Sequence, residues 1–153
     1  MKITLLLTGK TDDNYIQAGI NVYKDRLERY LDFNIIEIPS LKNTKNLSPL
    51  EYKRKEGELI FKKLNDKDYV VLLDEKGKEY TSIEFASFIE KTQRPITFVV
   101  GGAYGFDDLI YKRANSQLSL SKMTFTHQMI RLIFAEQLYR AMTIINKEPY
   151  HHK

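Results

Sequence analysis

The chain has 153 residues, no cysteine, and 24 Lys+Arg against 20 Asp+Glu, a formal net charge of +4. That length suits one domain, residues 1–153, able to bury a core; the missing cysteines exclude a disulfide framework, a Cys-ligated zinc site and a thiol nucleophile. Hydrophobic residues at 42% and charged residues at 29% exclude a disordered chain.

Short apolar runs alternate with longer amphipathic ones. Ile3-Thr4-Leu5-Leu6-Leu7 predicts a buried strand, and residues 15–31 predict a helix with apolar positions at three-four spacing. Lys2 is followed by only six uncharged residues before Gly9-Lys10, too few for an export signal, so a cytoplasmic protein is expected. Residues 33–38 predict a second strand ended by Pro39, and 49–64 a charged helix after a polar loop. Residues 69–73 predict a third strand that stops at Asp74-Glu75-Lys76-Gly77. A helix over 82–92, a strand over 96–100, a short helix over 106–114, a strand over 117–120 and a long helix over 127–146 complete the chain. Alternation of this kind, with near-continuous apolar strands, means an α/β domain around a mainly parallel sheet. Ligands of such sheets bind beyond the carboxyl ends of strands, which marks the loops after Leu73, after Val100 and from Ser121 to Thr126.

Gly9-Lys10-Thr11 lacks the glycine that a phosphate-binding loop requires at position 4, which is Thr, and is read as a plain turn. Val99-Val100-Gly101-Gly102-Ala103-Tyr104-Gly105 runs a strand into three glycines without dinucleotide-binding spacing, and a ligand-cradling loop is expected there. Thr126 is placed to cap the last helix. Within that helix Ile130, Phe134, Leu138, Ala141, Met142 and Ile145 form one stripe, while Leu132, Ile133, Tyr139 and Ile144 carry apolar groups to other sides. Such a helix is buried on more than one face, with the sheet on one side and a second subunit on the other. Arg131 falls inside the stripe, where an unpaired charge is costly, so it needs an anionic partner, a dimer contact or a ligand. Glu136 and Arg140 are spaced for an intrahelical ion pair.

Residues 1–111 hold 17 basic and 18 acidic groups, whereas 112–153 hold seven basic and two acidic, so the positive excess lies in the C-terminal quarter. Together with the aromatic and basic tail Pro149-Tyr150-His151-His152-Lys153, this suits RNA. Two adjacent His without a third ligand make no metal site.

Leu72-Leu73-Asp74-Glu75-Lys76-Gly77-Lys78, Phe98-Val99-Val100-Gly101-Gly102, Leu118-Ser119-Leu120-Ser121-Lys122-Met123-Thr124-Phe125 with His127-Gln128, Arg131, Glu136-Gln137-Leu138-Tyr139-Arg140-Ala141 and Pro149-Tyr150-His151 follow one pattern in order and spacing. In these motifs the chain closely resembles, over its full length, the ribosomal RNA large subunit methyltransferase H family. The resemblance implies a SPOUT-class α/β fold with a C-terminal trefoil knot, a homodimer, and transfer of a methyl group from S-adenosyl-L-methionine to N3 of a pseudouridine in 23S rRNA. It also implies a cofactor site of Leu73, Gly102, Ser121, Lys122, Met123, Thr124, Phe125 and Thr126. Thr126 stands where that family usually has Pro. For the chemistry, His127 is the candidate base, because an imidazole exchanges protons near neutral pH; alternatively Arg131 or Arg140 stabilises the anionic base or holds a phosphate, and the sequence does not choose between these. Arg140, Tyr150 and His151 are the candidate RNA contacts. Against this stand a non-catalytic RNA-binding dimer of the same fold and a small-molecule nucleotide binder.

Overall fold

A computed structural model describes residues 1–152; Lys153, counted above in the basic tail, lies outside the described residues. All ten predicted elements are present in chain order: β1 (Lys2–Thr8), α1 (Asn14–Leu27), β2 (Asp32–Ile38), α2 (Pro49–Lys63), β3 (Tyr69–Glu79), α3 (Ser82–Lys91), β4 (Ile96–Val100), α4 (Asp108–Arg113), β5 (Ser116–Ser119) and α5 (Met129–Ile145). The strands form one wholly parallel sheet in the order β2-β1-β4-β3-β5.

Residues of alternate parity go to opposite faces, as the pleat demands. Ile3, Leu5 and Leu7 of β1, Val71 and Leu73 of β3, and Ile96, Phe98 and Val100 of β4 join the core beneath α1, α3 and α5. Leu6, Val70, Leu72 and Val99 point the other way, toward Ile60 of α2 and Ile110 of α4. Phe98 and Phe134 meet at 4.7 Å between ring centroids and fix α5 against the central strands. Local chemistry starts the helices: Ser48 Oγ accepts from the Glu51 amide behind Pro49, and Thr81 with Glu84 forms a reciprocal capping box. No helix among the described residues is long and apolar enough to cross a membrane.

Two boundaries differ from expectation. α1 closes at Leu27, where the Tyr30 and Leu31 amides both turn back to the Leu27 carbonyl so that the chain can enter β2. β3 does not stop at Asp74-Glu75-Lys76-Gly77 but continues to Glu79, with its register shifted between Leu73 and Lys78, both of which pair with Leu118. The turn signal is real, since Asp74 Oδ1 accepts from the Lys76 amide at 3.0 Å, yet it serves a bulge. Gly77 lies so close to β5 that a Cβ there would sit 2.7 Å from the Leu118 nitrogen.

Arg131 is the largest fully buried side chain, at 1% exposure. Its hydrogen-bond partners are three carbonyls and one hydroxyl. Nη2 donates to Thr8 O at 3.0 Å, Nη1 to Gly9 O at 3.1 Å and Thr11 Oγ1 at 2.9 Å, and Nε to His127 O at 3.0 Å. The Glu37 carboxylate stands 4.0 Å away. Replacing Arg131 by Met should strand these acceptors and cost about 3–5 kcal/mol in urea-monitored unfolding. Arg131→Lys should recover only part of that loss, because an ammonium cannot span the same fork of acceptors.

Candidate functional site

At the carboxyl ends of β3, β4 and β5 the sheet opens into a cavity of about 270 Å³. Three chain segments wall it: residues 73–75 at the β3 bulge, residues 100–106 after β4, and residues 118–130 between β5 and α5. Of the expected site residues, Leu73, Gly102, Ser121, Met123, Thr124 and Phe125 line this cavity, and His127 joins them. The 119–123 loop is shaped by its own side chains: Ser119 Oγ donates to Ser121 O at 2.9 Å, and Ser121 Oγ accepts from the Met123 amide at 2.9 Å.

The remaining candidates lie elsewhere. Lys122 leaves the cavity wall with its side chain 88% exposed and its Nζ 4.0 Å from Glu79. Thr126 does the capping expected of it: Oγ1 accepts from the Met129 amide at 3.0 Å, although regular helix begins only at Met129. Arg131 is outside the lining, with four N–H groups committed to the acceptors described above. A direct charge interaction with substrate is therefore not what its geometry provides.

Arg140, Tyr150 and His151 do come together, but away from the cavity. Glu136 organises them: its Oε2 lies 2.7 Å from Arg140 Nη2 and accepts from Tyr150 OH at 2.7 Å, while Arg140 Nη1 meets His151 Nδ1 at 3.1 Å. The Arg140 guanidinium covers the Tyr150 ring at 4.7 Å, and Tyr139 packs its edge at 4.8 Å. Burial and the Glu136 carboxylate push the Tyr150 phenol upward, and that same carboxylate raises Arg140. The tail is thus folded onto α5. Ten residues of helix separate Arg140 from Ile130 at the cavity wall, about 15 Å of rise.

Two features of the site escaped the sequence reading. The glycines after β4 do not simply leave room for a ligand. A Cβ at Gly102 would fall within contact of Glu56 Oε2 and 2.9 Å from its Oε1, whereas Gly105 is required by its φ of +82°. Glu56, at 5% exposure, accepts from the Gly102 amide at 3.0 Å, and burial raises its carboxyl against the lowering effect of that amide. An acid amid the Tyr52, Glu56 and Ile60 spacing was the available signal, of the same kind that singled out Arg131. The second feature is Asp74, a cavity-lining carboxylate that accepts a hydrogen bond from Tyr111 OH. With Glu75 it makes the wall acidic; no Lys or Arg lines the cavity among the described residues. Nor do three His, Asp or Glu side chains converge among the described residues to hold a metal.

Comparison with known proteins gives the chain a family. The family described as "Predicted SPOUT methyltransferase" matches residues 1–151. The chain belongs to that family. Among its relatives, "Ribosomal RNA large subunit methyltransferase H" of Parabacteroides distasonis is 57% identical, with all of both chains covered. The protein of the same name from Phocaeicola vulgatus is 54% identical, again over the whole of both chains. Among solved structures, a probable methylase family protein from Haemophilus influenzae shares the fold at a TM-score of 0.58 and 14% identity. The alignment covers 95% of this chain and 66% of that one.

The Asp74–Tyr111 pair has a pH signature. Burial first, then the bond to Asp74, pushes the Tyr111 phenol up to about 12. A proton held more tightly in the folded state stabilises the fold below the ordinary tyrosine value of about 10, and that contribution fades as pH rises through the folded value. Tyr111→Phe should therefore lower unfolding free energy by a constant amount at neutral pH, with the difference from wild type shrinking in alkali. Parallel urea titrations of the two proteins across pH measure this.

Proposed function

We propose that the protein is a 23S rRNA (pseudouridine-N3)-methyltransferase, which moves the methyl group of S-adenosyl-L-methionine to N3 of a pseudouridine in large-subunit rRNA. One observation carries the reading: over the whole length of both, the chain matches relatives bearing the large-subunit rRNA methyltransferase name, and the cavity at its strand ends offers room for the cofactor. Those relatives are named as enzymes, which disfavours the non-catalytic RNA-binding dimer.

The cavity suits the cofactor chemically. Its apolar wall of Leu73, Val100, Leu118, Leu120 and Ile130 accepts a flat base and aliphatic carbons, while the Gly101-Gly102 and 121–125 backbones offer polar groups for a ribose and an adenine edge. Asp74 and Glu75, with no cation lining the cavity among the described residues, favour a positive ligand. Bound there, the cofactor supplies a methyl group on a cationic sulfur. The protein's own task is alignment, holding the acceptor nitrogen in line and excluding water, so most of the rate comes from positioning. The imide N3 must give up its proton, and His127 is the imidazole on the cavity wall able to take it. Arg131 assists from behind: by donating to the His127 carbonyl and to the end of β1 it sets where His127 stands.

The RNA lies across α5, reaching from the cavity to Arg140, Tyr150 and His151. We further propose that the whole chain acts as one domain in the cytoplasm and that two copies pair through α5, several of whose apolar residues, Ile133, Ile144 and Ile145 among them, remain only half-buried in a single chain. A C-terminal trefoil knot is part of the proposal, supported by the return of α5 from the β5 edge across the sheet to α1.

Nucleoside mass spectrometry of ribosomes from a deletion strain, treated with the pure protein and labelled cofactor, tests the activity; no label in N3-methylpseudouridine overturns it. Deleting residues 150–153 should reduce methylation of ribosomes by at least about tenfold, the scale of a lost stacking and charge contact with a base, and leave cofactor affinity intact. Light scattering at micromolar concentration should find a dimer.

A further inference from the structure

The glycine loop after β4 is held from behind by α2, and we propose that Glu56 is a positioning residue for cofactor binding, its carboxylate setting where the Gly101-Gly102 backbone stands. This rests on the functional reading above, because the wall so positioned is the cofactor's.

α2 grips the loop at three successive places. Tyr52 meets Tyr104 edge-on at 5.2 Å between centroids. One turn later Glu56 takes the Gly102 amide at 3.0 Å, and the neighbouring Gly57 lies so close that a Cβ would sit 3.1 Å from Asp107 Cβ. The aromatic contact can slide and the glycine contact only sets a minimum distance. The hydrogen bond alone fixes direction. The carboxylate also fills the volume that a Gly102 side chain would need, so Glu56 and Gly102 are two halves of one steric fit.

Maintaining this arrangement is costly. Glu56 is 5% exposed, and among the described residues no Lys, Arg or His pairs with it. A buried acid held by one main-chain amide is a poor way to stabilise a helix. It makes sense as a way to place that amide. Gly102 faces Glu56 on one side and the cavity on the other, so a shift of a fraction of an ångström at Glu56 moves the cavity wall by as much. Ligand sites lose affinity steeply with displacements of that size.

The test compares Glu56→Ala, Glu56→Gln and Glu56→Asp in the full chain, by calorimetric titration with S-adenosyl-L-methionine and by amide hydrogen exchange without it. Glu56→Ala should weaken cofactor binding about tenfold or more and speed exchange at the Gly102 amide by a similar factor. Glu56→Gln keeps the acceptor and the volume, and should return affinity to within about threefold of wild type; Glu56→Asp, one methylene too short, should resemble Glu56→Ala. Adding Gly102→Ala should harm the wild-type background more than the Glu56→Ala background, since the second provides room for the methyl group.

Equal exchange at Gly102 in wild type and Glu56→Ala overturns the proposal, and so does a Glu56→Gln variant as impaired as Glu56→Ala. If Glu56→Ala fails to fold, the comparison of Glu56→Gln with Glu56→Asp decides on the same two readouts. A wild-type chain that does not bind the cofactor would instead overturn the functional reading, while the exchange data would still judge the role of Glu56.

Discussion

Arg131 carries a full charge into the interior and spends it on main-chain carbonyls at the end of β1 and on the carbonyl of His127. The geometry of the rest follows from that guanidinium. It sits near the start of α5 and joins it to the central region of the sheet, so the helix cannot shift along its axis without breaking several charge-assisted hydrogen bonds together. Because β5 is fixed at the other end by its pairing with β3, the 120–128 segment is suspended between two immobile anchors. That segment forms one side of the cavity. A charge placed for packing therefore decides the shape of a site it does not touch.

The site so formed is made chiefly of backbone and apolar side chains, with acids as its cavity-lining charges beside His127. Such a wall has little to contribute by proton transfer along a relay and much to contribute by fixed placement. The acids have keepers: Tyr111 holds Asp74, and Glu56 behind the wall is tied to Gly102. Glu136 plays the corresponding part for the tail, presenting Arg140 and Tyr150 as a joined cation and aromatic face instead of two free side chains. In each case a carboxylate and a neighbour fix one another's position.

Much of this was legible in the residues. Apolar runs such as 69–73 and 96–100 have one stable use, a strand buried on both faces, and the order of the elements then gives the parallel sheet and the end at which ligands collect. The loops after Leu73, after Val100 and before α5 were found by that logic, and they do meet. What was hidden depended on pairing at long range. Asp74-Glu75-Lys76-Gly77 is a turn in any local reading, and only the nearness of Leu118 makes it a bulge within a longer strand. Arg131 was conspicuous as a charge in an apolar stripe, but its carbonyl partners carry no residue-type signature. Counting charge had the same weakness. Of the seven basic groups after residue 111, Arg131 is buried and Arg140 is matched by Glu136, so the field offered to a polyanion is smaller than the sum suggests. The glycines after β4 drew attention to themselves, while the reason for Gly102 lay 46 positions earlier in α2.

The sheet order also governs when the protein becomes competent. β1 is synthesised first, yet one of its two neighbours is β4, and Ile3 waits for Ile96 before that side of the strand is covered. The cavity needs still more, drawing on residues as late as Ile130, and the guanidinium that anchors its last wall follows immediately. A nascent chain short of that point has two walls of the site and lacks the third, because residues 73–75 and 100–106 precede the 118–130 segment that closes the cavity. The cavity is therefore complete only after the start of α5 has been made, and a chain abandoned before then lacks one of the walls that would enclose the cofactor.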